Sequence, residues 1–240
     1  GDSVQFEISD STALSVSWDF NAGDLYNSFS LASSLSSLTA VTTPRAISFV
    51  NHDGTWYGFT YNSSLSQLFR LDFANGIYAP PTAFTSVSYS TASASISSST
   101  WSSIKFYKEN GIWYGFSVTE GNVLARIKFS NGLSSSSVDL QIYNNANGLV
   151  LSGPQDLDLV VENDTVYLLV ANKTGSSIKV YSCGTSVLNT PILLATHAMT
   201  GFSSIQGLDI KYDCGSYYAL INSINDAKVG ILNFGSSFLN

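Results

Sequence analysis

The chain has 240 residues, 44% of them hydrophobic and 13% aromatic, with 10 Lys plus Arg against 17 Asp plus Glu and a net charge of −7. A charged fraction of only 11% excludes a helical bundle laced with ion pairs, the acidic balance excludes a nucleic-acid or anionic-membrane surface, and the aromatic content excludes intrinsic disorder. Ser, Thr, Asn and Gly take the polar positions instead and disfavour helix interiors, so the composition points to an all-β protein.

In chain order, Gly1–Phe6 lacks the basic and apolar stretches of a signal peptide, so the expectation is an intracellular chain or one already relieved of a targeting segment. No apolar run reaches 18 residues, so no transmembrane helix and no membrane insertion are expected. Val4–Ile8 and Leu14–Asn21 resemble the second and third strands of a unit whose first strand is missing. Four fuller units follow, aligned after a tight turn on an aromatic pair that weakens to Val166-Tyr167 in the third. Their anchors are Tyr57, Tyr114, Tyr167 and Tyr218, at steps of 57, 53 and 51 residues.

An alternating run precedes each anchor: Ala46–Phe49, Ser103–Phe106, Asp156–Leu159 and Gly207–Ile210. Another follows it: Leu68–Phe73, Leu124–Phe129, Ile178–Tyr181 and Val229–Phe234. Ala83–Tyr89, Ser137–Tyr143 and Pro191–Leu194 close the first three units. Period-two alternation broken by Asp-Gly and Asn-Gly is a hairpin signature, because type I′ turns need positive φ at both central residues. Four strands per unit of roughly 50 residues read as the blades of a β-propeller. The expectation is a single domain over 1–240, of four-stranded antiparallel blades. The units run over 1–43 (partial), 44–98, 99–152, 153–203 and 204–240, giving five blades, with four as the alternative.

The motifs Asn110-Gly111-Ile112-Trp113-Tyr114-Gly115-Phe116, Phe69-Arg70-Leu71-Asp72-Phe73-Ala74-Asn75-Gly76-Ile77 and Leu188-Asn189-Thr190-Pro191 resemble β-propeller repeats of large secreted and surface proteins of Bacteroidetes. Gly153-Pro154-Gln155-Asp156-Leu157-Asp158 is similar to the segment that opens such repeats. The resemblance covers roughly residues 44–240. It implies a recognition or adhesion propeller, extracellular or on the cell surface, or carried on a phage virion. Three Asn-x-Ser/Thr sequons (Asn62, Asn163, Asn172) permit that setting without demanding it.

The main expectation is therefore a non-catalytic module that binds a glycan or a surface protein through polar loops, with neighbouring domains or subunits as further partners. Candidate binding residues lie in the turns between second and third strands: Asn62, Ser63, Glu120, Asn122, Asn172, Lys173, Asn222 and Asn225. Trp56, Tyr57 and Phe59, with Trp113, Tyr114 and Phe116, read as inter-blade core rather than sugar platforms. The enzyme alternative rests on the first strands, which line a propeller's axis. Their aligned positions hold Ser48, Lys105, Asp158 and Asp209, and two residues earlier Ala46, Ser103, Asp156 and Gly207. Asp156, Asp158 and Asp209 are accordingly the candidates for a glycoside hydrolase, set against a reading in which Lys105 merely pairs with an aspartate. A further alternative is a structural or assembly module.

Cys183, after a third strand, and Cys214, in the next unit's first turn, are candidates for an inter-blade disulfide. No cofactor is expected. The turn acids Asp53, Glu109, Glu162, Asp164 and Asp213 admit Ca²⁺ but lack the spacing of a dedicated site, and the two histidines, His52 and His197, stand apart.

Overall fold

The computed structural model describes residues 43–77, 79–89 and 101–239. The chain divides into two compact units, Gly1–Ser34 and Leu35–Asn240, and every described residue belongs to the second. The expected partial unit over 1–43 therefore lies, except for Thr43, outside the described residues.

Four antiparallel meanders follow one another. The first comprises β1 (Pro44–His52), β2 (Thr55–Asn62), β3 (Gln67–Phe73) and β4 (Ala83–Tyr89). The second comprises β5 (Trp101–Glu109), β6 (Ile112–Thr119), β7 (Val123–Phe129) and β8 (Ser137–Asn144). The third comprises β9 (Pro154–Glu162), β10 (Thr165–Asn172), β11 (Ser177–Gly184) and β12 (Ile192–Ala198). The last comprises β13 (Ile205–Asp213), β14 (Ser216–Ser223) and β15 (Lys228–Gly235). Among the described residues the helical content is one 3₁₀ turn, Asn145–Asn147, and no helix is long and apolar enough to cross a membrane.

The turns have the geometry that the dipeptides dictate. Asp53 and Gly54 sit at φ 51° and 83°, Asn110 and Gly111 at 49° and 81°, and Cys214 and Gly215 at 47° and 82°. Positive φ at both central residues matches the twist of the flanking strands, and glycine adopts it at no steric cost. Near its start each first strand also breaks register, between Arg45 and Ile47, Trp101 and Ser103, Pro154 and Asp156, and Ile205 and Gly207. Such bulges re-aim the side chains that follow, here Ser103 and Asp156.

The meanders pack face to face, with the first strands β1, β5, β9 and β13 side by side. Three apolar clusters fill the interfaces. One, between the first two meanders, holds Phe59, Tyr61, Trp101 and Phe129. The next holds Phe116, Leu157, Leu168 and Tyr181, and the third Leu169, Val180, Ile210 and Phe238. Phe59 meets Phe106 tilted at 4.8 Å and Phe129 edge-on at 5.4 Å; Phe59 and Phe129 are fully buried core, each worth about 1.5–3 kcal/mol of burial. β10 shows the consequence of two covered faces: Leu168, Leu169, Val170 and Ala171 are all fully buried in succession. At either end of the series one face stays open, exposing Ile47 (76%) and Phe49 (52%) on β1, and Val229 (71%) and Ile231 (74%) on β15.

Polar clips recur across the interfaces. Arg70 of β3 pairs with Asp72 and donates to the Leu133 and Ser135 carbonyls of the next meander. Arg126 of β7 donates likewise to the Val187 carbonyl. The expected separation of blades fails at one edge. Ser88 and Tyr89 of β4 pair in parallel with Ser137 and Val138 of β8, where the Ser88 amide reaches the Ser136 carbonyl at 2.8 Å. The first two meanders are thereby one eight-stranded sheet.

Candidate functional site

The inner strands pair with only one neighbour in their own sheets, so each presents an edge of backbone amides toward the next meander. Side chains from the adjacent first strand satisfy those amides. Ser103 Oγ accepts from the Leu157 amide at 3.1 Å. Asp156 Oδ2 accepts from Leu208 at 2.8 Å, and Asp158 Oδ2 from Ile210 at 2.7 Å. The other carboxylate oxygens accept from Leu157 and Leu159 on their own strand. Bonds from amides to ionised acceptors are the strong ones, so these positions tie the inner strands together.

Of these side chains Asp156 lines a cavity of about 390 Å³. Asp156, Lys105 and Asp209 supply its charges, Asn222 a carboxamide, and Leu220 and Val229 its apolar wall. Gly207 matters for its volume: a Cβ there would stand 2.8 Å from Asn222 Oδ1. Lys105 Nζ lies 3.4 Å from Asp158 Oδ1 and 3.9 Å from Asp209 Oδ1, so the expected lysine–aspartate pairing is present. Asp209 is half-exposed and also receives Lys211 Nζ at 3.1 Å. Burial raises the Asp156 carboxyl above its ordinary 3.8, against the lowering pull of its amide bonds, Ser103 and Lys105. The arrangement sets a desolvated carboxyl beside a lysine-paired carboxylate in one cavity.

Sequence reasoning found Asp156, Asp158, Asp209 and Lys105 by aligning the repeats, and missed Lys211. Its signal was available: two residues after Asp209 on β13, it shares that side of the strand.

The candidate binding turns divide. Each turn between second and third strands lies where the first strand begins, as the Ser63 amide bonded to the Thr43 carbonyl and the Lys173 amide bonded to Gly153 show. Asn62 and Asn172 are fully buried, which corrects their reading as ligand contacts. Asn62 Oδ1 accepts from the Thr43 hydroxyl and the Ser64 amide; Asn172 Oδ1 accepts from the Ser152 amide. Ser63 donates to Thr43 Oγ1, and Asn122 Oδ1 accepts from the Gly153 amide. Glu120 pairs with Lys173 at 3.6 Å and accepts from Gln155. Asn222 and Asn225 are exposed, and of these only Asn222 lines the cavity.

The expected disulfide is corrected as well: Cys183 and Cys214 are both free. Along β11, Tyr181 and Cys183 face the second meander, whereas Ile178 and Val180 face the last one. Strand parity thus turns Cys183 away from Cys214, and burial pushes its thiol up to about 11. Cys214 is exposed beside Asp213. Two turn acids serve the interfaces: Glu109 accepts from Ser186 and the Val187 amide, and Glu162 from the Tyr217 hydroxyl. Among the described residues no three His, Cys, Asp or Glu side chains gather as a metal site.

No protein-family profile matches the chain, and no curated protein matches it either. Solved structures do. A thermostable family-43 glycoside hydrolase superposes with a TM-score of 0.55 at 12% identity, over 83% of this chain and 71% of that one. An α-L-arabinofuranosidase from Podospora anserina, in complex with cellotriose, gives 0.57 at 10% identity over 82% and 65%. A Bacteroides uniformis protein provisionally named a 6-phosphogluconolactonase gives 0.55 at 15% identity over 78% and 49%. The chain spans from about half to seven tenths of the length of these proteins. Neighbours that are glycoside hydrolases of families 43 and 62 overturn the expectation of a non-catalytic adhesion module, and with it that of no enzyme. At these identities the likeness is one of fold, and the chain is an all-β protein with the β-propeller fold.

Proposed function

We propose that this propeller is a glycoside hydrolase acting through its axial carboxylates. The observation that carries the reading is one cavity lined by two carboxyl groups in unlike environments, Asp156 desolvated and Asp209 paired with lysines. Pairs of acids driven apart in this way divide into proton donor and proton acceptor. In the reaction proposed, Asp156 gives its proton to the glycosidic oxygen as the bond from that oxygen to the anomeric carbon breaks. Asp209 takes a proton from the water whose oxygen bonds to the anomeric carbon. Proton, water and leaving alcohol then balance.

The fold of the neighbours supports the reading, as does the half-exposed position of Asp209, which water reaches. We propose five blades as well, one more than the four meanders described. The neighbours' five-bladed architecture and the two open apolar faces, on β1 and β15, support that count. The setting proposed is extracellular or at the cell surface, on the ground of the Bacteroidetes-like repeats.

The test is a panel of aryl glycosides and plant-type oligosaccharides given to the wild type, Asp156→Asn and Asp209→Asn. Wild-type turnover that falls at least about a hundredfold in each variant, with the circular dichroism spectrum retained, is expected. Turnover that survives both substitutions refutes the assignment.

A further inference from the structure

Lys105 is the one ammonium that two of the axial carboxylates share, 3.4 Å from Asp158 and 3.9 Å from Asp209. Those acids come from different strands, β9 and β13, and Lys105 from a third, β5. We propose that Lys105 is a positioning residue: its one ammonium, reaching Asp158 on β9 and Asp209 on β13, holds those two side chains in place and sets the electrostatics of the cavity. This rests on the hydrolase reading for its catalytic meaning, though not for its electrostatics.

The charged groups facing one another there are few. β5 brings Lys105, β9 brings Asp156 and Asp158, and β13 brings Asp209 and Lys211. Ser48 holds the aligned position of β1 and Asn222 faces in from β14, both uncharged. Asp156 and Asp209 line the cavity and Asp158 reaches the same ammonium from β9, so like charges gather there and a shared cation offsets their repulsion. Lys211 reaches Asp209 alone among them and is largely exposed, so its field is screened. Lys105 is two-thirds buried, which makes its charge count for more at both acids. Asp156 is left without a direct ion pair among the described residues.

The reading predicts a definite response. Without Lys105, Asp158 loses its ion pair and Asp209 keeps only the screened Lys211, so one of them should hold its proton to higher pH. The experiment is a carboxyl ¹³C NMR titration of the wild type, Lys105→Met, Lys105→Gln and Lys105→Arg, with pH–rate profiles of kcat/KM measured alongside. Expected is an upward move of about one unit or more in the Asp158 or Asp209 midpoint in the Met and Gln variants, and its return in the Arg variant. The acid limb of kcat/KM should move with it, a loss of about tenfold at the acid end that closes as pH rises.

Midpoints that stay put in a folded Met or Gln variant overturn the proposal. So does a shifted titration with an unmoved acid limb, which leaves Lys105 a purely structural cation. If the wild type hydrolyses nothing on the panel, the hydrolase reading fails by itself, while the titration still decides who holds the proton.

Discussion

Asp158→Ala tests whether the inner strands are held by side-chain-to-amide bonds. Its two oxygens take two separate amides, Leu159 on the same strand and Ile210 on the neighbouring meander, and the residue is 8% exposed. A buried amide left without an acceptor costs about 1–3 kcal/mol, so removing both acceptors should cost about 2–6 kcal/mol. Lys105 keeps Asp209 at 3.9 Å and adds little to the loss. Asp158→Asn retains one acceptor oxygen and should lose about half as much. Ser103→Ala removes one of two acceptors of the Leu157 amide and leaves Asp156 Oδ1 at 2.8 Å, so it should cost only the net worth of one hydrogen bond, about 0.5–1.5 kcal/mol. Urea unfolding of the three variants, read as midpoint times slope, gives the values directly. An Asp158→Ala variant within about 0.5 kcal/mol of wild type, a range usual for surface substitutions, would refute the argument, since water would then be serving those amides.

The pH dependence of Asp156 has a fixed sign. Its folded carboxyl lies above the ordinary 3.8, so the stabilisation it gives is complete below that value and disappears as pH rises through the folded one. The melting temperature of wild type relative to Asp156→Asn should therefore rise on acidification, and a pH-independent difference would contradict the raised value. Thiol labelling should find one accessible group in the native protein, Cys214, and two after denaturation; none in the denatured, unreduced protein would restore the disulfide. Gly207→Ala should crowd Asn222 and lower kcat/KM with a change in stability below about 1 kcal/mol, because the atom met is the far end of an exposed side chain. Full activity in that variant would place the substrate elsewhere.

The strands were legible because hairpin chemistry is local. Asp53-Gly54, Asn110-Gly111 and Cys214-Gly215 each fix a turn within two residues, and the alternation on either side fixes strand and face. Repeat alignment carried the reading one step further, to Lys105, Asp156, Asp158 and Asp209 at one centre. What it did not give was which partner each group takes. Asn62 and Asn172 look like loop residues in sequence, yet both turn inward to the residues that lead into the first strand of their own meander, Thr43 through its hydroxyl and Ser152 through its amide. Cys183 illustrates the same gap: one residue of parity decides which neighbouring meander a side chain meets. The β4–β8 ladder had no sequence signal, being a contact of two residue pairs between units that the alternation treats as separate.

The axial side chains serve two masters, and this bears on how such a site can change over generations. Asp156 and Asp158 each accept an amide from the next meander, so exchanging either for the sake of chemistry also loosens the ring. Asp209 accepts no backbone amide among the described residues and is tied only to lysines. Functional drift is therefore cheapest at Asp209 and at the empty Cβ position of Gly207, where new specificity can arise without weakening the scaffold.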